Sequence, residues 1–385
     1  VAGILEALER IFNEGKKSDQ VVPALLKAHP KWGSRDRNFV AENTYEIVRN
    51  KVYLDYLVDG ENNLRKVLGT WLILKGGYAL DHEIFEGLDS EELLIRAQQK
   101  LKPEIRFSID ETLSRRAVDE LGEDRWYREL EAMHTPAPVF IRVNLQHVSV
   151  AKLKQRLEEK GILTETVPGV PTALKITKRS NLQSLEEYQK GWFEIQDAGS
   201  QCISTFLGVN AGEFIIDACA GAGGKTLHLA DMLGKKGSIL ALDVEEYKLK
   251  ELERRVQRNK VKNVQSALWS PAMLEEYKGK ADAVLMDVPC SGLGVLRRNP
   301  DAKYALTVDF LDEIRGVQKA ILKSYSTLLK PGGRLVYATC SLLPSENARQ
   351  VAEFLAENPA FSLVKEQQIW PSETHFDGFY MALLK

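Results

Sequence analysis

From about residue 190 onward the chain alternates strand-like and helix-like runs, and this order limits its fold more than any other feature. EFIIDAC precedes TLHLADML, and SILALD precedes the long EEYKLKELERRVQRNK. NVQSAL and ADAVLMD follow, then the helical DFLDEIRGVQKAILKSYSTLL, then GRLVYATC. Such alternation predicts right-handed crossovers and a parallel sheet covered by helices on both faces. Ligands of such sheets sit beyond the carboxyl ends of the strands, so the residues that directly follow each strand are the candidate site.

Two further parts precede this domain, which is expected over 191–385. Residues 1–132 carry helical periodicity and almost no strand signal. Ser34 or Asp36 is expected to cap DRNFVAENTYEIVRNKVYLDYLVD, and Asn63 to open LRKVLGTWLILKGG, which Gly76 and Gly77 end. In 133–190, Pro136 and Pro138 disfavour helix, VFIRVN reads as a strand, 149–160 as a helix, and 162–166 and 173–177 as short strands. This is a small α+β module. Between Arg142 and Lys190 it holds nine basic residues (Arg142, Lys152, Lys154, Arg156, Lys160, Lys175, Lys178, Arg179, Lys190) against five acids, a net charge of +4. The whole chain has a net charge of −2, so any nucleic-acid contact must come from such a local face.

With 44% hydrophobic and 28% charged residues over 385 positions, the chain is neither disordered nor a disulfide scaffold. No apolar run approaches the roughly 20 residues of a membrane span. VAGILEALERIFNEGKK lacks the basic cap and cleavage site of a signal peptide and reads as an amphipathic helix, so a cytoplasmic, monomeric protein without membrane contact is expected. Its four cysteines form no CxxC pair, which argues against a structural metal.

The first strand end reads DACAGAGGKTLHLA, at 217–230. Cys219 stands where a Walker A loop needs glycine, and Thr226 stands where the dinucleotide pattern GxGxxG needs its last glycine. What remains is a glycine turn after an acidic strand end, followed by Asp243 at the end of SILALD, an acid suited to ribose hydroxyls. A nucleoside without a phosphate requirement fits best, and S-adenosylmethionine is the leading candidate. Cys290, in MDVPCSGLGVLRRNPD, and Cys340, in YATCSLLPSEN, each follow a strand, and Asp287 joins them. Arg297, Arg298 and a helix N-terminus near Ser345 are candidates to lower a thiol pKa. Cys202 reads as core, and Cys219 as a loop residue whose backbone matters more than its sulfur.

FIRVNLQ, GWFEIQDAGSQ, DACAGAGGKT, MDVPCSGLGVLRRNPD, YATCS and FDGFYMALL occur in an order that resembles the RsmB/Sun-type RNA cytosine-5 methyltransferases. The pairing of DVPCSG with TCS is the most specific part. SRDRNFVAENTYEIVRNKVYLDYL is similar, more weakly, to the NusB-like RNA-binding domain that precedes the RsmB branch. The resemblance implies an α/β fold: a Rossmann-like class I methyltransferase sheet, preceded by a small α+β module and an all-helical NusB-like bundle. It implies that Cys340 attacks carbon 6 of cytosine, that Asp287 supports ring nitrogen 3, and that Cys290 serves product release. Cys219, Ala220, Gly221, Ala222, Gly223, Gly224, Lys225, Asp243 and Asp287 would bind S-adenosylmethionine. RNA, with small-subunit ribosomal RNA favoured by the NusB-like start, would be the partner, with Arg297 and Arg298 as phosphate contacts.

Two positions depart from the family pattern. Its usual Ala-Ala-Pro-Gly-Gly-Lys reads Ala-Gly-Ala-Gly-Gly-Lys at 220–225. Leu268 stands nineteen residues before Asp287, where the family has an aspartate for the adenine, so either Ser270 or a backbone amide serves instead or cofactor affinity is weaker. That loss favours the alternative reading, a catalytically weak or inactive RNA-binding or assembly factor of the same fold.

Overall fold

The computed structural model describes residues 1–60, 63–178 and 180–385. Arg179, one of the nine basic residues above, lies outside them. The chain divides into two compact units: Val1–Pro136 with Val295–Val308, and Ala137–Gly294 with Asp309–Lys385.

The first unit is helical. Ile4, Leu8, Leu25, Ile47, Leu54 and Leu68 recur at helical spacing and meet in one core. Asn63 caps the helix Leu64–Lys75 by accepting from the amides of Arg65 and Lys66, and Gly76 ends it at φ +71°. Neither Ser34 nor Asp36 is the cap expected of the preceding helix. The helix Ser34–Arg49 begins after an extended Gly33, with Asp36 in its first turn. It also breaks at Asn50, before a second helix over Lys51–Leu57, where the Asn50 amide turns back to the Glu46 carbonyl at 2.8 Å. Val295–Val308 is tied into this unit. Lys303 Nζ donates to the carbonyls of Arg49 and Phe107, each at 2.7 Å, and Arg49 donates to the Arg297 carbonyl at 3.2 Å. Arg297 is 4% exposed, so the structure corrects its reading as a surface phosphate contact.

The second unit holds two sheets. In the smaller, strands β1 (Val139–Val143), β2 (Thr164–Thr166), β3 (Ala173–Ile176) and β4 (Phe193–Ile195) lie in the order β2-β3-β1-β4, all antiparallel. The helix Val150–Glu158 starts at Ser149, whose hydroxyl accepts from the Lys152 amide. β4 is too short, at three residues, to give a periodic signal of its own. The basic segment is largely neutralised. Arg142 is buried against Gln196 and Asp231, Arg156 and Lys160 pair with Glu187, and Lys175 and Lys190 with Glu165 and Glu186.

The larger sheet has seven strands. β5 (Phe214–Asp217), β6 (Ser238–Asp243), β7 (Val264–Leu268), β8 (Ala281–Asp287) and β9 (Leu329–Thr339) are parallel. β10 (Leu363–Ile369) and β11 (Phe379–Leu384) complete the order β10-β11-β9-β8-β5-β6-β7 and run antiparallel. β10 is mostly exposed and polar, and so leaves no apolar pattern. The chain winds from β5 through β6 to β7, then crosses to β8 on the other side of β5. β5 and β8 therefore flank the switch point at which such sheets open a ligand crevice. No helix among the described residues is long and apolar enough to cross a membrane.

Candidate active site

Asp217 and Asp287 end the two strands that flank this switch point. After Asp217 the chain turns sharply into the helix Gly224–Leu233, with Gly221 at φ +54° and Gly223 at φ +84°. A Cβ at Gly223 would lie 2.7 Å from Leu252 Cγ, so backbone conformation and packing both require glycine there. Asp243, at the end of β6, fastens the turn. Its Oδ2 accepts from the Gly221 amide at 2.8 Å and its Oδ1 from the Glu245 amide at 2.9 Å. Arg255 braces it from the helix Glu246–Arg258, donating to the Ala222 carbonyl at 2.7 Å. The same guanidinium bonds the buried Glu194 of β4, which also takes Arg258 and Asn259, so the small sheet and the turn share one ionic cluster. Burial alone would raise the Glu194 pKa, but the two arginines hold it below the usual carboxylate value.

A cavity of about 250 Å³ opens on this turn, lined by Gln196, Asp217, Cys219, Lys225, Arg255 and Asp287 among others. Asp217 is 1% exposed and accepts the Thr226 hydroxyl at Oδ2, while its buried Oδ1 has no partner among the described residues. Burial raises its pKa to about 7, helped by Asp287 and Asp243 and opposed by the Thr226 bond and Lys225. Lys225 Nζ donates to Asp287 Oδ2 at 2.5 Å. Its pKa is raised: burial would lower it, but Asp287 more than compensates. Burial and the nearby acids push the Cys219 thiol well up, which makes it a poor nucleophile. An orphaned carboxylate oxygen in the wall of the cavity suits an ammonium, the N-terminus of the helix Gly224–Leu233 suits a carboxylate on the same carbon, and Asp243 retains lone pairs for hydroxyls. The donor set therefore fits S-adenosylmethionine. Leu268, in register with Asp243, is 52% exposed and offers no polar group of its own.

Cys290 and Cys340 follow β8 and β9, which are adjacent and parallel with Asp287 opposite Ala338. Their sulfurs lie 3.3 Å apart, and the Cys340 amide donates to Cys290 Sγ at 3.3 Å. The two turns are joined by Glu346, fully buried and not singled out from the sequence. Its Oε1 accepts the hydroxyls of Ser291 and Ser341, and its Oε2 accepts the Ser291 amide and the Gln318 side chain. Gly294 completes the joint, donating to the Cys340 carbonyl and accepting from the Gly378 amide, both at 2.8 Å. A Cβ at Gly294 would lie 2.3 Å from the Gly378 carbonyl oxygen, which accounts for glycine in both the GLG and FDG stretches. The expected lowering of a thiol pKa is not what Cys290 experiences. The hydrogen bond with Cys340 comes first and burial second, and together they push it well up, so Cys290 is a protonated thiol at neutral pH.

Cys202 lies elsewhere, in the helix Ala198–Leu207, where its sulfur bonds the Ala198 carbonyl and burial raises its pKa to about 11. Asp217, Glu194, Arg255 and Glu346 are the site residues that sequence reasoning did not select. Of these, only Asp217 gave a signal, as the acid at a strand end.

A family model described as 16S rRNA methyltransferase RsmB/F matches residues 204–385, and one described as the RsmF/B-like ferredoxin-like domain matches 110–183. The ribosomal RNA small subunit methyltransferase B of Vibrio cholerae is 36% identical over 270 residues, covering 68% of this chain and 62% of the relative. Its counterpart in Klebsiella pneumoniae is 29% identical over 420 residues, covering 98% and 96%. Among solved structures, PH0851 aligns over 100% of this chain and 97% of its own with a TM-score of 0.85 at 25% identity. A methyltransferase homologue from Pyrococcus horikoshii covers 73% and 97%, with a TM-score of 0.66 at 29% identity. Matched in its sheet domain, its ferredoxin-like module and its order of strand-end motifs, the chain belongs to the RsmB/F methyltransferase family.

Proposed function

We propose that this protein methylates carbon 5 of a cytosine in RNA, with small-subunit ribosomal RNA as the substrate, through a covalent bond between Cys340 and the base. The observation that carries this reading is the pair of sulfurs 3.3 Å apart at the switch-point edge, beside a turn whose donors fit S-adenosylmethionine. Bound there, S-adenosylmethionine supplies an electrophilic methyl group.

Carbon 5 of cytosine is a weak nucleophile until carbon 6 is saturated. Addition of the Cys340 thiolate to carbon 6 makes the ring an enamine that can take the methyl at carbon 5. Asp287 Oδ1 is suited to hydrogen-bond ring nitrogen 3 while Lys225 holds Oδ2, stabilising the adduct. Cys290, kept as a thiol by burial and by its neighbour, can donate its S–H toward Cys340 sulfur before attack and again as that sulfur leaves. A water molecule acting as base then takes the carbon 5 proton, the C5–H electron pair re-forms the C5–C6 double bond, and the Cys340 thiolate leaves. The base must be unpaired or flipped out to reach these atoms. Residues 1–132 and 133–190 are proposed to hold the surrounding RNA, with 191–385 performing the transfer.

The test uses Cys290→Ala incubated with S-adenosylmethionine and total RNA. Denaturing electrophoresis is expected to show a protein–RNA band that disappears when Cys340 is also changed to Ala. If no band forms and the wild-type protein transfers no labelled methyl to RNA or ribosomal subunits, the covalent reading is lost. The exposed Leu268 then favours the alternative, an RNA-binding assembly factor.

A further inference from the structure

The amino edge of the large sheet, opposite the cysteines, carries a second cavity of about 540 Å³. It lies between the turn that follows β1, the end of the helix Gly224–Leu233 and the loop that enters β7. The loops that enter β6 and β7 read GKKG (234–237) and NKVKN (259–263), with four lysines and no acid. Lys235, Lys260 and Lys262 line the cavity, and among the described residues none of the three makes an ion pair. The one acid in its wall, Asp231, is already engaged. Its Oδ1 accepts the Gln146 amide at 3.0 Å, and its Oδ2 accepts the Leu145 amide at 3.1 Å and faces the Arg142 guanidinium at 3.5 Å. In a chain with a net charge of −2, the cavity is thus a local concentration of unneutralised positive charge.

Lys260 is a second, independent sign. It follows the helix Glu246–Arg258 with φ +54°, the left-handed conformation that glycine or asparagine adopts most readily. Its side chain is exposed, so packing does not account for a lysine at that place. A long, exposed cation stands where the backbone favours glycine, and it points to a ligand of opposite charge.

We propose that this cavity holds a phosphate of the RNA backbone outside the target nucleotide, so that RNA is gripped at both edges of the sheet. β6 spans six residues, which at 3.3 Å each puts the cavity about 20 Å from Asp243, well beyond the reach of one nucleotide. The inference rests on the RNA reading above. The alternative is that the lysines only complement the carboxyl ends of two helices, where cations are favoured in any case.

The two accounts separate in binding measurements on the full chain with a small-subunit ribosomal RNA transcript across a salt series. The triple variant Lys235→Gln, Lys260→Gln, Lys262→Gln is expected to bind about tenfold or more weakly. Its dependence of log affinity on log salt should be shallower by about 1, at roughly 0.7 to 0.9 per lost phosphate contact. Unchanged S-adenosylmethionine affinity by calorimetry shows that the variant is folded. Lys260→Gly removes a cation while relieving the backbone, so its thermal midpoint should hold or rise while RNA affinity falls. A helix-end role predicts the reverse: a lower midpoint for the triple variant, with RNA affinity and salt slope as in the wild type, and that result overturns the proposal. If the wild-type chain binds no RNA, the substrate reading fails and this inference with it.

Discussion

Glu346 and Asp217 are both buried carboxylates at the carboxyl edge of the sheet, and they are held in opposite ways. Both oxygens of Glu346 are occupied, by two serine hydroxyls, a backbone amide and a glutamine. Asp217 keeps one oxygen without a partner among the described residues, and burial lifts its pKa to about 7. The cysteine turns are therefore fixed by contacts within the protein, whereas the glycine turn, on the proposed reading, leaves an interaction for a cofactor to make. This division suits the chemistry. In the proposed mechanism the two sulfurs stand ready before a base arrives, because a displacement of about 1 Å can cost about a hundredfold in rate. The cofactor enters and leaves at every turnover, so its contacts must be open to exchange.

The largest expected effect comes from breaking the cysteine half. Glu346→Ala removes the acceptor of the Ser291 amide and the Ser291 and Ser341 hydroxyls and leaves Gln318 only the Pro289 carbonyl, at a cost of about 3 kcal/mol in denaturant unfolding. Methyl transfer should fall about a hundredfold as the two turns drift apart. Activity near wild type in that variant would show that the turns hold their register without it.

Asp217→Asn tests the other half and should weaken S-adenosylmethionine binding by about tenfold, the scale of one charged hydrogen bond. The pH dependence has a definite sign. The folded pKa is raised from 3.8 to about 7, so between these values the native state holds more protons than the unfolded chain. Asp217 therefore lowers stability as pH rises from about 4 to about 7, by at most about 1.4 kcal/mol per unit, and the asparagine variant should lack that slope. Cofactor affinity should climb through the same upper limit, because a ligand ammonium favours the ionised form. A flat affinity profile from pH 6 to 8 in the wild-type protein would place the ammonium elsewhere.

The smallest effect is a gain. Leu268→Asp puts an acid beside Asp243 at an exposed position, and S-adenosylmethionine should bind several-fold more tightly, about 1 kcal/mol. Unchanged or weaker binding would mean that the adenine lies away from the end of β7.

Much of this architecture was legible in residue order. The alternation from 190 onward gave the five parallel strands, and the motifs gave both cysteines and the glycine turn. β4, β10 and β11 were not read as strands; β4 is too short, and the side chains of β10 are mostly solvated. The charge count over 142–190 misled in part. It treated Arg142 as surface charge, while the fold buries that side chain against Asp231 and satisfies most of the neighbouring cations with glutamates. Glu346 was missed because an acid five residues after a serine in a loop carries no periodic or turn signal that separates it from a solvated one.

By itself, the sequence determined the order of strands and helices, the sharp turn at 221–224 and the presence of a cysteine just past each of two strands. These follow from side-chain periodicity and backbone preference, which act over a few residues. Only the tertiary structure decided that Cys290 and Cys340, fifty residues apart, bring their sulfurs to 3.3 Å, and that one buried glutamate ties their turns. It also decided that Arg142 and Arg297 face inward while Lys235, Lys260 and Lys262 face an open cavity. Burial and partnership of a charge are set by whatever distant segment the fold brings against it, and no local pattern contains that information.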